Sequence, residues 1–401
     1  MLTPKCRSAR PLASHKEYDL IERIFHPIGQ GAFYSERHDN FNIVYDCGNW
    51  RNTKLADKVV KQAFLKDEVI DILFISHFDY DHVNKIKTLK EHTKIIKVVM
   101  PLLHNNEKHL LLNFYRVLGF NILTLISNPQ EFFGKDTQII SVNPTENNET
   151  PLNDDIDPQN IDTLTTTSIQ SGSILSKNFN TYNWIFIPFN YEYKLRNNKL
   201  EKLLKMEGFD VDKLKTDTNY TLDKIINDVG ISKAKCGKIF RKIYDKMDGG
   251  INQNSMLLYS GLNCVRKDCE KSIFSFDYSG RYFECLENFH HIRWHRMARE
   301  EYRVSCIYTG DTDLNIVKIK SIFRNFWKSV GTIQIPHHGD IKSFDKSVLD
   351  DKYYWCPISV GKTNTYGHPS CTLISKIISQ DSCPILVTEN LSSGFIEHIR
   401  C

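Results

Sequence analysis

Four side chains of metal-ligating type fall within six positions of "ISHFDYDHVNKI" (residues 75–86): His77, Asp79, Asp81 and His82. Imidazole nitrogens and carboxylate oxygens at this density are the donors a divalent cation takes. The apolar run "VIDILFIS" stands directly before them. Its length and its Ile and Phe content predict a buried strand, so the cluster sits on the loop leaving a core strand, where a rigid scaffold can aim side chains. Alternation at the strand end sends residues i and i+2 to one side, which lets His77 and Asp79 share one ion. Asp81 and His82, beyond the strand, can turn to a second.

Three later segments repeat the arrangement of a hydrophobic strand followed by an acid or imidazole: "VSCIYTGDTDL" with Asp311, "GTIQIPHHGD" with His337 and His338, and "YYWCPISVGKTNTYGHPS" with His368. Four such strand ends could converge on one edge of a sheet. The elements that must position them alternate along the chain. Strands are predicted at "IERIFHPI", "AFYSER", "FNIVYDC", "KIIKVVM", "TQIISV", "NWIFIPFNY" and "NSMLLYS", and helices at 54–66 and at "NNEKHLLLNFYRVLG". Between them, residues 144–175 turn rich in Asn, Thr, Asp, Ser and Pro and read as a long surface excursion. Residues 195–247 read as Lys-rich helices. The organisation expected is a first half over 1–143, an insertion over 144–250 and a second half over 251–401.

The order of "IFHPIGQGAFYSE…NIVYDCG", "ISHFDYDHVNKI", "NQNSMLLYSG", "YTGDTDL", "IPHHGD" and "ISVGKTNTYGHPS" resembles the metallo-β-lactamase fold, and within it the hydrolase domain of ComEC-type competence proteins. By eye the likeness covers roughly residues 21–100 and 250–400. It implies an α/β, four-layered αββα sandwich with metals at one edge between the sheets. It also implies that Asp311 bridges two ions and that His368 completes the second site. Most members of the wider fold carry His where this chain has Asp79, and a further His near "NQNSM", where Asn252 or Asn254 stands. Oxygen in place of nitrogen moves the preference toward hard ions, so Mn²⁺ or Mg²⁺ stands beside Zn²⁺ as a candidate.

Two divalent ions acidify a water and clamp the oxygens of an in-line phosphoryl displacement. The activity expected is therefore a metal-dependent phosphodiesterase, foremost a nuclease on DNA or RNA, with a part in anti-phage defence as an extension. Asp81, His337 and His338 are the candidate catalytic residues, one histidine of the pair protonating the leaving oxygen. Lys362 and Asn364 are candidates to neutralise a substrate phosphate. The same fold could instead hydrolyse a cyclic nucleotide, lactone or thioester, or serve as a regulatory subunit without catalysis. Retention of the complete His and Asp set argues against the last reading.

Composition adds bounds. The 401 residues are 41% hydrophobic and 25% charged, an ordinary globular balance, and the net charge of +4 makes no bulk case for nucleic acid. Local basic segments with aromatics, at 233–246 and 290–303, could form a phosphate-backbone groove if they face the metal edge. The 144–250 insertion could also receive a gating partner protein. No apolar stretch approaches a membrane span, and the N-terminal residues lack the apolar core of a secretion signal, which points to the cytoplasm. Eleven cysteines without a CxxC pair then read mostly as reduced thiols. Cys264, Cys269 and Cys285 with His290 or His291 could hold a structural zinc.

Overall fold

A computed structural model describes residues 19–51, 53–152, 157–217, 220, 222–247, 254–264, 266, 269–275, 302–350, 352–365 and 367–401. Among these residues the chain builds two facing sheets. The first sheet has nine strands in the order Glu270–Ser275, Phe395–Arg400, Leu20–Phe25, Gly31–His38, Phe41–Asn49, Val69–Phe74, Lys94–Pro101, Gln138–Val142 and Ser168–Ile169. The second has eight: Cys383–Val387, Trp355–Ser359, Val330–Ile333, Ser305–Tyr308, Asn254–Leu262, Asn183–Glu192, Leu175–Asn178 and Gln159–Asn160.

Strand alternation creates the layers. Ile43 and Tyr45 point into the core between the sheets, with Phe74, Phe186, Met256, Leu258 and Tyr308. Val44 points the other way, onto the helices Lys54–Ala63, Ile86–His92 and Asn105–Leu118. In the second sheet Leu257 and Tyr259 face an outer core with Phe323, Leu373 and Ile377. This is the αββα arrangement. Polar groups also cross between the sheets. Arg23 donates to Glu36 (2.7 Å), Glu397 (2.6 Å) and Val304 O (2.9 Å), and Lys271 donates to Glu397 (2.9 Å).

The polar excursion is more than a loop. Ile161, Ile169 and Leu175 are buried in the inter-sheet core, and the short strands around them extend one edge of each sheet. With Ile174, which faces the outer core of the second sheet, these residues seat an otherwise hydrophilic stretch. Asn183–Glu192 pairs with Asn254–Leu262 over nine positions, so it is a central strand of the second sheet. The segment standing apart from the sheets is thus the helices Lys194–Met206, Val211–Thr216, Leu222–Val229 and Lys233–Lys246. They pack on the Asn105–Leu118 helix through contacts such as Phe114 on Phe240, with ring centroids 4.8 Å apart.

One cysteine expectation is overturned. Strand pairing sets Glu270 opposite Arg400, which brings the next residues, Cys269 and Cys401, into a disulfide. Cys269 is therefore no free zinc ligand; Cys264 is an exposed thiol, and Cys285, His290 and His291 lie outside the described residues. Among the described residues no helix is long and apolar enough to cross a membrane.

Candidate metal centre

The strands Phe41–Asn49, Val69–Phe74 and Lys94–Pro101 run parallel, as do Ser305–Tyr308, Val330–Ile333 and Trp355–Ser359 in the second sheet. The loops leaving their C-terminal ends carry the expected ligands, so the parallel topology gathers them at one edge. Close backbone approach seats the main loop. A Cβ on Gly48 would lie 2.4 Å from the Asp81 carbonyl oxygen, and one on Gly310 would lie 2.8 Å from Ser76 Cβ. Gly310 also has φ +54°, a conformation that favours glycine.

Asp46, at the end of "NIVYDC", organises the imidazoles. Its carboxylate accepts from Ser76 N (2.7 Å), Ser76 Oγ (2.6 Å) and His82 Nδ1 (2.8 Å). With its own proton given to Asp46, Ser76 Oγ is left to accept from His77 Nδ1 at 2.8 Å. His338 Nδ1 lies 2.9 Å from the Ser359 carbonyl oxygen, which can only accept. The network thus anchors the Nδ1–H of all three rings and turns each Nε2 lone pair inward.

Those lone pairs face carboxylates. His77 Nε2 is 3.6 Å from Asp311 Oδ2 and 3.7 Å from Asp79 Oδ2, His82 Nε2 is 3.3 Å from Asp311 Oδ1, and His338 Nε2 is 2.9 Å from Asp81 Oδ2. Nε2 of His77 and of His82 are buried without a hydrogen-bond partner. Lone pairs aimed at carboxylates repel unless a cation or proton lies between them. Two ligand atoms each about 2.1 Å from one ion lie roughly 3–4 Å apart, so the spacing fits a metal. Two sets converge, His77–His82–Asp311 and Asp81–His82–His338, with ligand atoms within 4.8 Å of one another in each. Asp311 presents Oδ2 to His77 and Oδ1 to His82.

The electrostatics carry the same message. Burial alone would depress His82, but the Asp311 and Asp46 carboxylates hold its imidazole well above the ordinary value. Burial opposes ionisation of Asp311, yet His82, His337 and His77 keep it well below the usual carboxylate range. Burial raises Asp79, with Asp81 and Asp311 adding to the rise, against His77 and the Tyr115 hydroxyl that donates to it at 2.6 Å.

His77, Asp79, Asp81, His82, Asp311, His337, His338 and His368 are all brought to this edge. All of them except His77 and His82 line a cleft of about 100 Å³. His338 joins the second set, for which the resemblance implied His368, and His368 lines the same cleft beside His337 with ring centroids 5.8 Å apart. The cause is local: His337, His338 and Gly339 take φ of +49°, +54° and +85°, and this left-handed turn swings His338 inward. Lys362 and Asn364 do not line the cleft. Lys362 is exposed, and Asn364 donates to Gly361 O (2.8 Å) and His368 O (2.6 Å), holding the loop that carries His368. Asn254 donates to Leu102 O (3.0 Å), and Asn252 lies outside the described residues. Asp46, Ser76 and Tyr115 were not among the sequence candidates; an acid ending a strand at Asp46 was the one available signal. Trp50 and Tyr244, which also line the cleft, gave none.

Residues 31–170 match the family described as the Metallo-beta-lactamase superfamily. No curated protein sequence matches the chain significantly. Among solved structures it is similar to the metallo-beta-lactamase fold protein YhfI from Bacillus subtilis (15% identity, 20% of this chain and 37% of that one, TM-score 0.15). It is also similar to a long form RNase Z from yeast (6% identity, 84% and 36%, TM-score 0.34). A third is unliganded PDE1 from yeast (9% identity, 95% and 99%, TM-score 0.40). The chain spans little more than a third of the first two. Two facing sheets flanked by helices, with the family match over their first half, give this chain the metallo-β-lactamase fold.

Proposed function

We propose that this protein is a metal-dependent phosphodiesterase, foremost a nuclease acting on DNA or RNA, akin to the ComEC-type hydrolase domain. The observation that supports it best is the set of three imidazoles, each anchored at Nδ1 and each aiming Nε2 at an aspartate beside an open cleft. His77, Asp79 and Asp311 would hold one divalent ion, and Asp81, His82 and His338 a second, since the single Nε2 lone pair of His82 can serve only one of them. The first set, with the Asp79 and Asp311 carboxylates, suits Mn²⁺ or Mg²⁺ as well as Zn²⁺. Such ions, when bound, supply positive charge for phosphoryl oxygens and acidify a water.

The chain's own groups do the rest. Asp46 fixes the tautomer of His82, and through Ser76 that of His77. His337 lies at the cleft with Nδ1 3.6 Å from Asp340 Oδ2 and is the half of the pair not drawn into a ligand set. It is the group placed to give a proton to the leaving oxygen. Lys362 and Asn364 have no substrate contact in this reading.

Metal-stripped protein assayed with bis-p-nitrophenyl phosphate, DNA and RNA under added Mn²⁺, Mg²⁺ or Zn²⁺ tests it. Hydrolysis of a phosphodiester is expected, and Asp81→Ala or Asp311→Ala should abolish it while leaving thermal melting near wild type. Hydrolysis confined to lactones or thioesters, or unchanged rates in either variant, overturns the reading.

A further inference from the structure

The helix Lys233–Lys246 has one face in the core and one in solvent. Cys236, Phe240 and Ile243 are its buried residues, and Phe240 packs between Phe114 and Phe209, each with ring centroids 4.8 Å away. The opposite face exposes Lys235, Lys238, Arg241, Lys242 and Lys246. None of these five forms an ion pair among the described residues, whereas Lys194, Lys213 and Lys215 on neighbouring helices each have an acidic partner. Unpaired like charges on adjacent turns repel, which disfavours the helix unless a polyanion answers them.

The same helix ends at the metal cleft. Tyr244, Asp245 and Met247 line it together with Trp50, Asp81 and Asp311. Arg241 and Lys242 stand one turn before Asp245, and Lys238 and Lys235 one and two turns before those. The rings of Tyr244 and Trp50 stack at the cleft with centroids 6.0 Å apart and planes 27° apart. Both rings are partly exposed. A row of cations leading to partly exposed aromatic residues is a combination that holds a single nucleic-acid strand by its phosphates and its bases.

We propose that the exposed cations of Lys233–Lys246, together with the Trp50–Tyr244 pair, form a track that delivers one strand of nucleic acid to the metal cleft. The proposal rests on the phosphodiesterase reading and adds its substrate class: a single strand several nucleotides long, not a small diester alone. Nine residues separate Lys235 from Tyr244, or about 14 Å at the helical rise of about 1.5 Å per residue. For a strand that keeps the duplex stacking rise of about 3.4 Å per nucleotide, that spans about four nucleotides, and fewer for an extended one.

The test uses the full chain. Binding of a fluorescein-labelled 12-nucleotide single strand is measured without added metal over a salt series, for wild type and for Lys235→Glu/Lys238→Glu/Lys242→Glu. The substituted lysines are exposed, so folding is retained, and a Lys→Gln triple variant provides a milder second case. Expected is a loss of at least about tenfold in affinity at low salt for the Glu variant. The log–log salt slope should flatten by about 2, from about 0.7 per lost contact. Binding should strengthen with length up to about five nucleotides and then level off. Wild-type affinity and slope in both variants, or equal affinity for a dinucleotide and the 12-mer, overturns the track. If that occurs while bis-p-nitrophenyl phosphate is still hydrolysed, the phosphodiesterase reading survives; lysine-dependent strand binding without hydrolysis of any diester has the opposite meaning.

Discussion

Asp46→Asn isolates the role of a residue that touches no ligand atom. The carboxylate accepts three hydrogen bonds, from Ser76 N at 2.7 Å, Ser76 Oγ at 2.6 Å and His82 Nδ1 at 2.8 Å. An asparagine of the same shape has one acceptor oxygen. If that oxygen stays on Ser76 N, its amide hydrogens face the Nδ1–H of His82, and the ring must change tautomer to relieve the clash. Nε2 then carries the proton and no longer offers its lone pair to the centre. Loss of a group that orients a metal-binding histidine weakens metal affinity by about 10–100-fold, or about 1.4–2.7 kcal/mol. The ion held by His82 should weaken, and so should the one at His77, whose ring is anchored to Asp46 through Ser76. Mn²⁺ titration of metal-stripped wild-type and variant protein by calorimetry reads the affinities, and rates at limiting and excess Mn²⁺ read the consequence. Activity should fall steeply at limiting metal and recover in part at excess, with melting showing an intact fold. Affinities within twofold of wild type would refute the assigned tautomer and the role given to Asp46.

Gly48→Ala places a methyl group 2.4 Å from the backbone of Asp81, so the loop must shift; about 1–3 kcal/mol of stability and most of the activity should be lost, and wild-type melting and rate would contradict the packing. Between the sheets, burial opposes the Glu36 carboxylate, but Arg23, His38 and Ser260 together outweigh it, lowering its pKa from 4.5 to about 2. Because the folded value is the lower one, the stabilisation is complete above pH 4.5 and is lost as pH falls toward about 2, by about 3 kcal/mol. Urea midpoints between pH 6 and pH 2.5 check this, and Glu36→Gln should flatten the profile while destabilising the protein through an uncompensated Arg23. Asp79→His should move the activating ion from Mn²⁺ toward Zn²⁺, since it adds nitrogen to an oxygen-rich set; stoichiometric Zn²⁺ in wild type with no gain from Mn²⁺ would count against the oxygen-rich assignment.

The ligand types were legible because each stands directly after a hydrophobic strand, and parallel strands bring their C-terminal ends to one edge. What escaped the sequence depends on contacts between distant segments or on rare backbone geometry. Asp46 meets Ser76 and His82 across 30 and 36 positions, and it does so from a left-handed conformation, φ +57°, that no propensity forecasts. The inward place of His338 goes with the left-handed run at 337–339, a backbone geometry that no propensity forecasts. Cys269 and Cys401, 132 positions apart, were indistinguishable from free thiols until strand pairing set them opposite each other. The polar composition of 144–175 concealed strands whose few apolar residues happen to fall at core positions.

Two acid clusters lie inside this fold, and the chain treats them differently. Glu36 and Glu397 are matched by Arg23 and Lys271, with Tyr308, Ser260 and Thr332 donating further hydrogen bonds. That cluster carries its own fixed cations, with Arg23 Nη2 the one group of the pairing cations left without a hydrogen-bond partner among the described residues. At the sheet edge, Asp46, Asp81 and Asp311 have imidazoles for ion partners in place of lysine or arginine. Two of those imidazoles end in buried Nε2 atoms without a hydrogen-bond partner. An imidazole can balance a carboxylate only by taking a proton, and with the proton it can no longer act as a ligand. A fold that supplies fixed cations to one acid cluster and only lone pairs to the other has built the second to receive its positive charge from outside. The cleft opening beside Asp81 and Asp311 is the route by which that charge and, in the proposed reaction, a phosphate can arrive.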